Sequence, residues 1–154
     1  MNKKIYIGIG IAIFVLLLII FIPKYLNGNA IANNNAPVVS GNIEKVEVYH
    51  FHATRQCSTC IAVGKLAEET TNTYFKDELK SGKLVFASIN IDLPENKELA
   101  TKYGATGSSL IIGVYGNDGS FSKQEDTAVW SKIYDKEDYM SYLKGVIEQK
   151  FLGE

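Results

Sequence analysis

Two cysteines, two histidines and one tryptophan are all that 154 residues hold of those types, and each scarcity narrows what the chain can do. With Cys57 and Cys60 as the only cysteines, any disulfide within the chain must join them. No glycine-rich phosphate loop occurs, no two acids stand at a spacing suited to acid–base work, and no Ser–His–Asp set can be assembled. No internal repeat is present. Basic residues form no cluster, which argues against nucleic acid as a partner. Whatever chemistry the chain performs therefore rests on one small region.

Charge is also missing from one long stretch. Residues 5–22 contain no charged side chain and are almost wholly apolar. As a helix they would extend about 27 Å, close to the roughly 30 Å hydrocarbon core of a bilayer. Residues 1–24 are expected to form a membrane anchor, or a signal segment if Ala30-Ile31-Ala32 is cleaved. Gly8-Ile9-Gly10 is not a G-x-x-x-G spacing and offers no helix-pairing signal. Lys3 and Lys4 precede the run and only Lys24 closely follows it, so the N-terminus is expected in the cytoplasm. The rest of the chain would then lie outside the cytoplasm, or be secreted after cleavage, where disulfides persist. Residues 33–154 carry 13 basic and 17 acidic side chains, a net charge of −4.

Residues 25–42 are rich in Asn and Gly and read as a flexible linker. The domain is expected over 43–154. Within it, 46–52 is a strand by its β-branched and aromatic content. After the cysteines, Val63, Leu66, Ala67, Thr70 and Tyr74 mark one face of a long helix ending at Ser81-Gly82. Residues 83–91 form a second strand. Asp92-Leu93-Pro94-Glu95 reads as a capping box opening a short helix that stops at Gly104. Strands over 110–115 and 121–124 flank the turn Gly116-Asn117-Asp118-Gly119. Asp135 caps a last helix whose apolar face holds Tyr139, Leu143, Val146, Ile147 and Phe151. The order is β-α-β-α-β-β-α: an α/β domain with a mixed sheet and helices on both faces.

Cys57 and Cys60 fall between the first strand and its helix. Free backbone N–H groups and the positive end of the helix dipole there favour an anion, so Cys57 is the expected nucleophile. Arg55 adds a positive charge nearby. Cys60, one turn inward, would resolve a mixed disulfide. As a bare staple the pair gives little, since a four-residue loop is worth only about 2 kcal/mol. A second reading is metal or metalloid binding by Cys57, Cys60, His50 and His52, which match a tetrahedral zinc donor set in type. Alternation places both histidines on one face of the strand. His52, nearer the motif, is the better candidate for tuning the thiolate.

Strand, C-x-x-C, helix, second short helix and hairpin together resemble the thioredoxin-like superfamily over about residues 44–152. More narrowly, Phe51-His52-Ala53-Thr54-Arg55-Gln56-Cys57-Ser58-Thr59-Cys60, with Glu95-Asn96-Lys97, resembles the ArsF-type branch, whose members are named as subunits of a nitrophenyl-compound reductase. The resemblance implies a thioredoxin-like fold and thiol–disulfide exchange with extracytoplasmic protein thiols or disulfides, or with a membrane electron-transfer partner. It implies no cofactor beyond the disulfide itself. An accessory role beside a membrane reductase is a further alternative. Three departures stand out. Ser109 occupies the place of the family's cis-proline, and a trans Ser108–Ser109 bond is expected because a cis bond before a non-proline residue costs about 2.5–4 kcal/mol. Ser58-Thr59 replaces Gly-Pro. For the acid that the family buries behind the second cysteine, Glu47 is the nearest match, although an acid at a strand edge or surface fits it as well.

Overall fold

A computed structural model describes residues 42–153. The expected anchor, most of the linker and Glu154 lie outside the described residues. Among the described residues no helix is long and apolar enough to cross a membrane.

The first strand, β1 (Ile43–His52), sits at the centre of the sheet. It is followed by α1 (Ser58–Tyr74), α2 (Lys76–Ser81) and β2 (Leu84–Asn90). A 3-10 turn (Pro94–Asn96) leads into α3 (Lys97–Tyr103). Strands β3 (Ser109–Gly116) and β4 (Phe121–Glu125) form a hairpin, and α4 (Val129–Lys132) and α5 (Lys136–Leu152) close the domain. The sheet order is β2-β1-β3-β4. β1 runs parallel to β2 and antiparallel to β3, and β4 is antiparallel to β3. The parallel pair is joined by helices and the antiparallel pair by a tight turn, as connection lengths require.

Side-chain alternation along β1 divides the core in two. Val46 and Val48 point to the face covered by α1 and α5, where they pack with Val63, Leu110, Tyr139 and Leu143. Tyr49 and Phe51 point to the other face and pack with Ala100 and Tyr103 of α3. The register carries this division across the sheet: Val48 lies beside Phe86 and Ile112, Tyr49 beside Ala87 and Ile111. Helices thus cover both faces of a mixed sheet.

Two local expectations change. The long helix predicted to Ser81 is broken at Phe75, whose φ of −128° and ψ of 36° leave the helical region. The break turns the Phe75 ring into the core, where it packs against Phe151 at a centroid distance of 6.4 Å. Burying a phenylalanine is worth about 1.5–3 kcal/mol, more than one interrupted helical hydrogen bond costs. Asp92 is not a helix cap: Leu93 occupies that position and no side chain caps the turn. Its carboxylate is used elsewhere, as shown below. The remaining boundaries follow the sequence. Gly82 and Gly104 end α2 and α3 in the left-handed conformation, and Asp135 caps α5 by accepting from the Asp138 N–H at 3.0 Å.

Candidate functional site

Cys57 ends the loop after β1 in extended conformation (φ −75°, ψ 161°) and serves as the N-cap of α1. Its Sγ accepts from the Cys60 N–H at 3.1 Å and lies 3.0 Å from the Thr59 hydroxyl. A sulfur thus takes the place usually filled by a Ser or Asp oxygen, satisfying one of the orphan donors of the helix start. Cys57 and Cys60 are joined in a disulfide, with Cα atoms 5.1 Å apart. Cys57 is exposed and Cys60 half-buried, so a partner sulfur reaches Cys57 first.

The loop that delivers Cys57 is tied down by the segment after β2. Asp92 Oδ2 accepts from the Thr54 N–H at 2.8 Å, and Asn90 Nδ2 donates to the Thr54 hydroxyl at 3.1 Å. Asn90 Oδ1 accepts in turn from the Asp92 N–H, and the Asn90 carbonyl accepts from Asn96 Nδ2. Thr54 holds the Asp92 carboxyl below the usual carboxylate range, chiefly through its backbone N–H. Neither Thr54 nor Asn90 stood out in the sequence, and Asp92 was assigned to a cap. Nothing local distinguishes an acid that caps its own helix from one that reaches back 38 residues.

The two histidines occupy the α1 face of β1 with their rings stacked, centroids 5.4 Å apart. His52 Nδ1 donates to the carbonyl of Ala53 at 2.9 Å. His50 is 1% exposed, and its Nδ1 is 3.1 Å from the Ser88 hydroxyl of β2. Its Nε2 is buried without a hydrogen bond. Burial pushes the His50 imidazole down to about 4; the neighbouring His52 adds to this, and the Cys60 backbone opposes it. Gly64 of α1 lies directly against the ring: a Cβ there would stand 2.7 Å from Cε1. The sequence favoured His52 as the group nearest the cysteines, but His50 is the one buried beneath the helix. Its signal was present in the alternation, which aligns His50 with the core residues Val46 and Val48. Among the described residues no group of three or more His, Cys, Asp or Glu side chains is placed to hold a metal.

Among the described residues no hydrogen bond joins Arg55, Ser109 or Glu47 to either sulfur. Arg55 is exposed, with no ion-pair partner among the described residues. Ser109 begins β3 beside Phe51, is 6% exposed, and donates to the Gly107 carbonyl at 3.4 Å, not to either cysteine. No peptide bond among the described residues is cis, so Ser108–Ser109 is trans as expected. Glu47 is a buried acid, but it points to the α3 face, opposite to His50. There it pairs with Lys45 at 2.6 Å and accepts from the hydroxyls of Tyr103 at 2.5 Å and Tyr115 at 2.9 Å. Burial raises its carboxyl, yet the hydrogen bonds from Lys45, Tyr103 and Tyr115 outweigh that and hold it below the usual range. The titratable group behind the cysteine helix is a histidine, and Glu47 belongs to a separate polar cluster.

No family model matches the chain, and no curated protein matches it. Among solved structures, the crystal structure of the Trx4 domain of ERdj5 aligns with a TM-score of 0.45 at 15% identity, over 69% of this chain and 82% of that one. The described residues form a mixed four-stranded sheet with helices on both faces.

Proposed function

We propose that this protein is a thiol–disulfide oxidoreductase whose attacking sulfur is Cys57 and whose resolving sulfur is Cys60. The observation that carries this reading is the exposed Cys57 Sγ at the N-terminus of α1, held by the Cys60 N–H and beside the Thr59 hydroxyl. Donors that hold a neutral sulfur hold a thiolate more strongly, because hydrogen bonds to charged groups are the stronger ones. Freed from the disulfide, Cys57 is therefore the better nucleophile and leaving group of the pair. In the reducing direction the Cys57 thiolate attacks a partner disulfide, forming a bond to one partner sulfur while the partner's S–S bond breaks and its other sulfur leaves as a thiolate. Cys60 then displaces the bound partner sulfur and restores the intramolecular bond.

In its finer form the proposal sets this chemistry outside the cytoplasm. Residues 1–24 would tether the domain to the membrane, residues 25–42 would give it reach, and extracytoplasmic protein thiols or disulfides would be its partners. The sequence from Phe51 to Cys60 supports a specialised member resembling the ArsF-type branch, exchanging electrons with a membrane electron-transfer protein. Ser109 in place of proline supports a narrower partner range than that of a general protein reductant.

The test is covalent trapping with the full-length chain. Cys60→Ser accumulates a mixed disulfide through Cys57 with a protein partner, and Cys57→Ser does not. A pair that neither traps a partner nor cycles with dithiothreitol overturns the reading. The reduction potential then gives the direction of electron flow: about −120 mV marks an oxidant and about −270 mV a reductant.

A further inference from the structure

We propose that the cavity between β4 and α5 binds an ammonium group carried on a short apolar stem, with Asp126 as its counter-ion. The inference goes beyond the thiol–disulfide reading and does not rest on it, because neither cysteine lines the cavity. The space measures about 320 Å3. A dry cavity of roughly half that volume holds a benzene ring, so a ring or alkyl chain with a polar head fits here.

The walls follow from the elements that bound the space. Tyr142, Val146, Gln149 and Lys150 stand at i, i+4, i+7 and i+8 of α5 and so share one helix face. Ile112, Ala128, Val146 and the Tyr142 ring supply apolar surface for the stem. Gln124, Thr127 and Gln149 supply polar groups. Apolar walls with a few convergent polar groups are what small-molecule sites share.

Asp126 is the group that selects the ligand's charge. It follows β4, and its N–H donates to the Leu110 carbonyl of β3 at 2.8 Å. The residue is 8% exposed. Its Oδ1 accepts from the Ala128 N–H at 3.0 Å and from the Tyr142 hydroxyl at 3.1 Å. Burial, and then the Asp126 carboxylate, push the Tyr142 hydroxyl up to about 12, so it remains a donor to Oδ1. Oδ2 accepts no hydrogen bond among the described residues. Nor is Oδ2 sealed, since His50 Nε2 is the one fully buried side-chain polar atom there without a partner. The open space beside Asp126 is the cavity.

Among the described residues no cation pairs with Asp126. Lys132 stands over the Tyr142 ring at 4.9 Å, but Asp138 engages it at 2.9 Å. Glu125 adds a second acid to the lining, in which Lys150 is the one cation. A buried carboxylate is costly unless paired. The bonds to Leu110, Ala128 and Tyr142 fix its position before any ligand arrives, which lowers the cost of binding. An ammonium group supplies both the charge and the donor that Oδ2 lacks. An anion would meet two carboxylates instead.

The experiment titrates the isotope-labelled full-length chain with phenethylammonium chloride and follows the amide NMR shifts of Thr127, Ala128 and Gln149. These shifts should saturate, and the neutral isostere phenethyl alcohol should bind at least about tenfold more weakly. Asp126→Asn keeps an oxygen for Ala128 and Tyr142 but removes the charge, and it should weaken phenethylammonium binding at least about tenfold. Equal affinity for the charged and neutral probes overturns the proposal, as does the absence of saturable shifts up to about 10 mM. That comparison is made on the unmodified chain, so it stands even if Asp126→Asn does not fold. A capped peptide with one central lysine separates two sources of the same chemistry. Tighter binding of the peptide than of phenethylammonium assigns the ammonium to a partner polypeptide's side chain, and weaker binding assigns it to a free amine.

Discussion

Gly64 and His50 are packed so closely that no other residue fits the helix position without displacing the ring. In an exposed helix interior, alanine is more favourable than glycine by about 1 kcal/mol. Here the clash reverses that sign. Gly64→Ala should lower stability by about 1–3 kcal/mol, the usual cost of overpacking. In a His50→Ala background the same substitution should cost less or become favourable. Urea unfolding of the four proteins in the cycle measures the coupling.

Acid should weaken the fold in a window set by His50. Its folded-state value of about 4 lies below the ordinary 6.5, so the unfolded chain binds the extra proton first. Stability is then complete above 6.5 and declines as pH falls from 6.5 towards 4. The full shift corresponds to a loss of the order of 3 kcal/mol. Denaturant midpoints measured across that window should fall in the unmodified chain and stay flatter in His50→Leu.

Removing the Glu47 carboxylate should damage the fold without touching the redox centre. Glu47→Ala strands two tyrosine hydroxyls and the Lys45 ammonium. A loss of about 1–3 kcal/mol is expected, chiefly from the buried Tyr103 hydroxyl left without its acceptor, since the Lys45 end of the ion pair is about one-third exposed and adds little. Gly113 belongs to the same cluster, since a Cβ there would lie 2.9 Å from the Tyr103 ring. The variant's reduction potential should match that of the unmodified protein, because the cluster lies on the opposite face of the sheet from His50.

Cutting the tie at Asp92 should loosen the loop that carries Cys57. In Asp92→Ala the Thr54 amide loses its acceptor, and its hydrogen exchange should accelerate while core amides stay protected. Equal protection at Thr54 in both proteins would show that the carboxylate does not hold the loop.

Much of the fold was legible because periodic patterns recorded it directly. The alternation through Val46-Glu47-Val48-Tyr49-His50 and the turn at Gly116–Gly119 needed no distant information. Phe75 escaped because a helix-compatible residue left its helix for a tertiary contact with Phe151. Asp92 escaped because its partner, Thr54, is remote in sequence. At the site, the place of the cysteines between the first strand and its helix followed from the motif. Choosing between His50 and His52 required knowing which residue α1 would cover, and that depends on the packing of Gly64. For Glu47 the sequence left a buried acid and an acid at a strand edge or surface both open, and only the strand register shows which face it takes.

The most direct test of the central claim is competitive alkylation of the reduced full-length chain, followed by mapping of the modified sulfur. The account predicts that Cys57 is modified first, by at least about tenfold, at a pH below the ordinary thiol value near 8.5. Cys60 should react only when the pH is raised or the fold is lost. Equal labelling of both sulfurs, or faster labelling of Cys60, would contradict the assignment of Cys57 as the attacking thiol.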